Sequence, residues 1–207
     1  MADAKLDIAI TGEAGSGKST LVNCLRGLMD EGLESAKTGV VEMTDHPTPY
    51  QHPRYPTVTL WDLPGIGTPA FPTEGYFKKV NFDKYDVFII VASERFKSNH
   101  ALLARRIQDM SKRFYFVRTK LDVDLYAEKK KRKSVYNIEQ ILQQIKENCT
   151  QCLAVEGLNP SHVFLTSNFK LDKYDFPVLL KTLEDDILSC IQPNSRQSQW
   201  RIGCELQ

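Results

Sequence analysis

The sequence predicts an α/β fold: a mostly parallel central sheet with helices on both faces. Three observations carry that expectation. Short apolar runs recur at Leu6 to Ile10, Val87 to Val91 and Phe114 to Val117. Segments with apolar residues at three- and four-residue steps alternate with them. Glycine-bearing or charged turns follow the runs, at the strand ends where folds of this class bind ligands.

At 207 residues the chain suits one sizeable core rather than two. Hydrophobic content of 42% and charged content of 26% are those of an ordinary soluble domain. A formal net charge of +1 exerts no long-range pull on polyanions, so no nucleic-acid partner is expected. Residues Met1 to Lys5 lack a secretory pattern, and no run approaches membrane-spanning length. Cysteines 24, 149, 152, 190 and 204 form an odd, scattered set, which suggests free thiols in a reducing cytoplasm. Cys149-x-x-Cys152 sits at the end of a helical pattern without a second pair, so packing is expected of it rather than metal chemistry.

Taken in order, the first run is followed by helical spacing at Leu21, Val22, Leu25 and Leu28. Prolines at 47, 49, 53 and 56 each remove a backbone donor, and predict a long, extended surface loop. Thr57-Val58-Thr59-Leu60-Trp61-Asp62 reads as a strand, with a turn at Leu63-Pro64-Gly65-Ile66-Gly67. The unbroken Val87-Phe88-Ile89-Ile90-Val91 is expected of a strand buried on both faces. Leu103, Ile107 and Met110 predict a helix, and Phe114 to Val117 the next strand. A long helix is expected from Val135 to Leu153, a short strand at Val163 to Thr166, and a last helix after Pro177 through Leu180, Leu183, Ile187 and Ile191.

The chemistry is concentrated in the strand-end turns. Gly12-Glu13-Ala14-Gly15-Ser16-Gly17-Lys18-Ser19 has phosphate-binding-loop spacing between a strand and a helix. Its glycines let several N–H groups converge on one phosphate, and the next helix adds its positive end. Lys18 is expected to reach the outer phosphates and Ser19 to hold Mg²⁺; Glu13, Gly15, Ser16, Gly17 and Thr20 complete the expected contacts. Asp62-Leu63-Pro64-Gly65 supplies an acid for the metal's shell and an N–H, at Gly65, for the terminal phosphate. Thr119-Lys120-Leu121-Asp122 is a T-K-x-D form of a guanine-recognition motif. A carboxylate at Asp122 accepts from the ring N–H and the exocyclic amine of guanine, a donor pair that adenine lacks, while the Lys120 stem lies along the base. Ser167 and Asn168, in Thr166-Ser167-Asn168, suit the loop that backs the base. A P-loop ATPase or small-molecule kinase is the competing reading, and Asp122 argues against it.

These motifs resemble those of a Ras-like P-loop GTPase domain, which is the expected fold. More specifically, Thr38-Gly39-Val40-Val41-Glu42, Trp61-Asp62-Leu63-Pro64-Gly65-Ile66-Gly67, Phe114-Tyr115-Phe116-Val117-Arg118-Thr119-Lys120 and Tyr174-Asp175-Phe176-Pro177 resemble the immunity-related, interferon-inducible GTPases over about residues 5 to 190. Lys18 resembles the branch with a standard phosphate loop. The resemblance implies GTP and GDP as ligands and slow hydrolysis of GTP. It also implies GTP-dependent homo- or hetero-oligomers through related GTPase domains, and innate-immune work at intracellular membranes. The GTPase domain is expected at residues 1–191, and the polar run from Gln192 through Ser198 predicts a loose tail over residues 192–207.

Ile66 stands where Ras-like enzymes carry the glutamine that orients water, so a low intrinsic rate is expected. The resemblance points to Glu42 as a group acting across a GTPase-domain dimer; a solvated loop carboxylate is the equal alternative. Thr38 is the expected threonine on Mg²⁺, with Thr44 the runner-up. A non-catalytic, guanine-nucleotide-dependent interaction module is the alternative function. Lys129-Lys130-Lys131-Arg132-Lys133 reads as a solvated loop, with an anionic-lipid address as the alternative. Cys204-Glu205-Leu206-Gln207 has prenylation form, read as coincidence. The four histidines have no ligand spacing.

Overall fold

The computed structural model describes residues 5–28, 34–39, 44–131, 137–160 and 162–191. Glu42, the Arg132-Lys133 end of the basic run, the tail at 192–207 and its Cys204 lie outside the described residues. The strands are β1 (Leu6–Gly12), β2 (Thr48–Gln51), β3 (Val58–Asp62), β4 (Val87–Ala92), β5 (Arg113–Arg118) and β6 (His162–Leu165). They form one sheet in the order β2-β3-β1-β4-β5-β6. β2 is antiparallel to β3, and the remaining pairs are parallel. The helices are α1 (Lys18–Leu25), α2 (Tyr76–Lys79), α3 (Ser98–Asp109), α4 (Leu121–Lys131), α5 (Ile138–Val155) and α6 (Phe176–Ile191), with a 3-10 turn at Phe82–Lys84.

Every residue of β4 is buried, as its continuous apolar run requires. Successive side chains leave opposite faces of a strand, which splits the core in two. Ile89 and Val91 join Ile8, Ile10 and Leu60 beneath α1 and α6, whose Leu21, Leu179 and Leu183 cover them. Phe88 and Ile90 join Phe114 and Phe116 beneath α3 and α5, covered by Leu103, Ile107 and Leu153. Cys149 packs in that second layer and, like Cys24, Cys152 and Cys190, is a free thiol, as the spacing predicts.

Four elements depart from the sequence reading. Part of the proline-rich loop is β2, which pairs with β3 in the register Tyr50 opposite Leu60. Pro49 is tolerated there because the strand lies at the sheet edge. α1 stops at Leu25 rather than running to Leu28, because Gly27 turns left-handed at φ 69°. Leu28 N–H then bonds back to Asn23 O at 2.9 Å and Gly27 N–H to Cys24 O at 3.1 Å, a Schellman closure. Lys129 to Lys131 are the exposed last turn of α4 rather than a loop, where their charge meets the helix's negative end. α5 begins at Ile138, capped by Asn137, whose side chain accepts from Gln140 N–H at 3.0 Å. Among the described residues, no helix is long and apolar enough to cross a membrane.

Candidate functional site

The C-terminal ends of β1, β3, β5 and β6 carry all the strand-end turns singled out above, and the parallel pairing brings them to the same end of the sheet. β1 ends at Gly12, whose φ of 148° is strained for any L side chain. A Cβ there would stand 2.2 Å from Val91 O of the neighbouring strand. The loop then turns through Gly15 and Gly17, at φ 71° and 90°, into α1. Lys18 is buried at 6% exposure, and its ammonium crosses the loop to donate to Glu13 O at 2.9 Å. The Glu13 carboxylate faces away, accepting from Lys97 at 2.9 Å and from Asn99 of α3 at 3.0 Å. Glu13 therefore serves the phosphate loop through its carbonyl and anchors it through its side chain.

At the start of α1, Ser19 hydroxyl donates to Asp62 Oδ2 at 2.6 Å, and Thr44 hydroxyl donates to the same oxygen at 3.0 Å. Asp62 is 1% exposed, and its Oδ1 is buried with no hydrogen-bond partner among the described residues. Burial pushes its carboxyl above the usual range, opposed by the Ser19 hydrogen bond and the Lys18 charge. An orphaned buried carboxylate oxygen beside two hydroxyls is an all-oxygen donor set that fits a hard cation such as Mg²⁺. Among the described residues there is no cluster of three His, Cys, Asp or Glu side chains suited to a metal. The threonine brought to Ser19 and Asp62 here is Thr44; Thr38 lines the same cavity.

The turn after β3 is zipped against the phosphate loop. Ile66 N–H donates to Gly12 O at 3.1 Å, and a Cβ on Gly65 would meet Ala14 N at 2.6 Å. The Ile66 side chain is 2% exposed and packs in the core, so this position presents no group to solvent in the site. Tyr76 hydroxyl donates to Pro64 O at 2.9 Å, fixing the turn from below.

At the other end, Thr119 hydroxyl donates to Ser16 O at 2.7 Å and Asn168 side-chain amide to Gly17 O at 3.1 Å, so these two loops buttress the phosphate loop. Ser167 hydroxyl donates to Asp122 Oδ1 at 2.6 Å. One cavity of about 520 Å³ joins the two ends. Gly15, Gly17, Lys18, Ser19, Thr20, Thr38, Thr44 and Gly65 line one part of it, Lys120 and Phe169 another. Phe169 escaped the sequence reading. It is 78% exposed, and an aromatic directly after the Thr166-Ser167-Asn168 run, followed by polar Lys170, was the signal available. An aromatic left this open beside a cleft costs hydrophobic free energy that a stacked ligand ring recovers.

Behind Glu13 lies His100, 1% exposed, with Nδ1 accepting from Lys97 N–H at 3.0 Å. Burial lowers its pKa from 6.5 to about 4, so the folded protein holds it neutral. The unfolded chain takes up the proton first as pH falls. Stability is thus full above 6.5 and declines between 6.5 and about 4, by up to about 3 kcal/mol. Urea unfolding across that range should show the loss, and His100→Gln should flatten it; an equally steep profile in the variant would assign the loss elsewhere.

The family model for interferon-inducible GTPases (IIGP) matches residues 1–198. The chain is 49% identical over 184 residues to interferon-gamma-inducible GTPase 10 of Mus musculus, covering 89% of this chain and 44% of that one. It is 45% identical over 183 residues to interferon-inducible GTPase 5 of Rattus norvegicus, covering 88% of this chain and 40% of that one. It therefore spans less than half the length of these relatives. Among solved structures, a bacterial selenocysteine-specific elongation factor matches with a TM-score of 0.58 at 16% identity, over 90% of this chain and 29% of that one. A GTP-binding protein from Sulfolobus solfataricus, in complex with GDP, matches at 0.50 and 20% identity over 89% and 53%. Those structural likenesses show the P-loop α/β fold. The family model and the close relatives show more: the chain belongs to the interferon-inducible GTPase family.

Proposed function

We propose that this chain binds GTP and GDP with Mg²⁺ and hydrolyses GTP slowly to GDP and phosphate, as a switch whose turnover rises when GTPase domains associate. The observation that carries this reading is the single cavity joining Lys18, Ser19 and Gly65 to Lys120 and Phe169. A nucleotide laid along it meets cationic and N–H donors at its phosphates and flat apolar surface at its base. Lys18 would leave the Glu13 carbonyl for the outer phosphates, and the Gly65 N–H would face the terminal one. Ser19 and Asp62 would hold Mg²⁺, joined by Thr38 or Thr44. When bound, that ion offsets part of the phosphate charge. Asp122 would read the guanine N1–H and 2-amino group, with the base between the Lys120 stem and the Phe169 ring.

The buried Ile66 supports slow intrinsic turnover, since no side chain at that position can orient water. Glu42, acting across a GTPase-domain dimer, would supply the missing group. Homo- or hetero-oligomers of related domains, peripheral association with intracellular membranes and work in cell-autonomous innate immunity from the cytoplasm complete the proposal, on the strength of family membership. The same burial of Ile66 favours a second reading, a guanine-nucleotide-dependent interaction module without useful turnover.

Phosphate release measured over a wide range of protein concentrations tests the choice. Activity should rise faster than linearly with protein, and Lys18→Ala should lower it by about two to three orders of magnitude, as loss of one transition-state donor does. GTP that stays bound and intact at every concentration would leave the interaction module.

A further inference from the structure

We propose that Arg118, which does not line the nucleotide cavity, is a positioning residue for base selectivity. It brackets the turn that presents Lys120 and Asp122. This inference rests on the guanine reading of Asp122 and names what holds that carboxylate in place.

Arg118 is the last residue of β5, paired with Ala92 on one side and Leu165 on the other, and only 6% of it is exposed. Its Nη1 donates to Thr119 O at 2.9 Å and its Nη2 to Asp124 Oδ2 at 2.6 Å. One planar guanidinium thus grips the chain immediately before Lys120 and again two residues after Asp122. The span between those grips contains a strained residue: Lys120 adopts a left-handed φ of 60°, unfavourable for a side chain with a Cβ. Such a conformation persists only where its surroundings over-determine it. Thr119 N–H bonds to Ala92 O at 2.8 Å, Leu121 N–H to Thr166 O at 3.3 Å, and Val123 and Asp124 N–H to Lys120 O at 3.0 and 3.3 Å. Each of these bonds restrains one point of the segment, whereas the guanidinium joins both sides of Lys120 to one rigid group.

The fixed fork of arginine is what makes this a two-point grip. A lysine in its place keeps the charge but cannot hold both acceptors in one plane. The turn would then relax away from the left-handed conformation, and Asp122, whose Oδ1 is already committed to Ser167, would lose its aim on the base.

The test is a set of dissociation constants for GDP, inosine diphosphate and inorganic pyrophosphate on the full chain. Inosine lacks the 2-amino group, so the wild-type preference for GDP over inosine diphosphate reports the aim of Asp122. Arg118→Lys should shrink that preference roughly tenfold, a contact-coupling magnitude, with pyrophosphate affinity unchanged. Asp124→Asn should move it in the same direction, and it decides the matter if the arginine variant does not fold. A preference that survives in the folded variants, with only a lower melting temperature, would reduce Arg118 to a packing residue and overturn the proposal. A wild type with no preference would instead overturn the guanine reading itself.

Discussion

Asp122→Asn should exchange guanine for xanthine as the preferred base. In the structure Asp122 Oδ1 accepts from Ser167 hydroxyl at 2.6 Å. Asparagine can keep that bond through its own Oδ1, which turns its NH₂ towards the base. A donor there opposes the guanine 2-amino group and complements the 2-oxo group of xanthine. Losing two charge-assisted bonds should cost GDP about 3 kcal/mol, roughly a hundredfold in affinity. Calorimetric titration with GDP, xanthosine diphosphate and ADP on both proteins checks this. If the wild type binds ADP as tightly as GDP, the guanine assignment is wrong; if the variant gains nothing for xanthosine diphosphate, Asp122 does not face the base.

The second large effect is expected at the other end of the cavity, where Gly12→Ala should cost about 3 kcal/mol of folding stability. A Cβ would come within 2.2 Å of Val91 O and 3.2 Å of its carbonyl carbon, both backbone atoms of the most buried strand. β1 and β4 would have to separate at the point where they deliver the phosphate loop. Gly15→Ala is the control, because its φ of 71° is also left-handed but no atom lies within 4 Å of the added Cβ. That variant should lose only about 1 kcal/mol, the conformational cost alone. For a chain of this size the pair should differ in melting temperature by roughly 4–8 °C. Equal losses would mean that the strand pairing yields to the methyl group and that φ alone makes glycine necessary.

These two sites differ in how much of them local sequence specifies. The glycine spacing of the phosphate loop, the acid at the end of β3 and the Thr119-Lys120-Leu121-Asp122 turn are local features. Covalent spacing and the backbone freedom of glycine determine them, whatever packs around them. The buried character of β4 and the alternation of strands and helices are legible for the same reason, since periodicity reports which faces are dry. The segment around Pro49 looked like loop because nothing within it announces a partner; β3 lies ahead in the chain and supplies the pairing. α4 was hidden by charges that a helix carries readily on an exposed face.

By itself, then, the sequence determined the α/β class, the phosphate loop and the guanine motif, because each depends on neighbours within a few residues. The tertiary structure decided that Thr44 meets Asp62, that Ile66 is buried and that Phe169 edges the cavity. Each of these joins residues brought together by strand order and loop packing, and no spacing along one chain encodes which surfaces will meet.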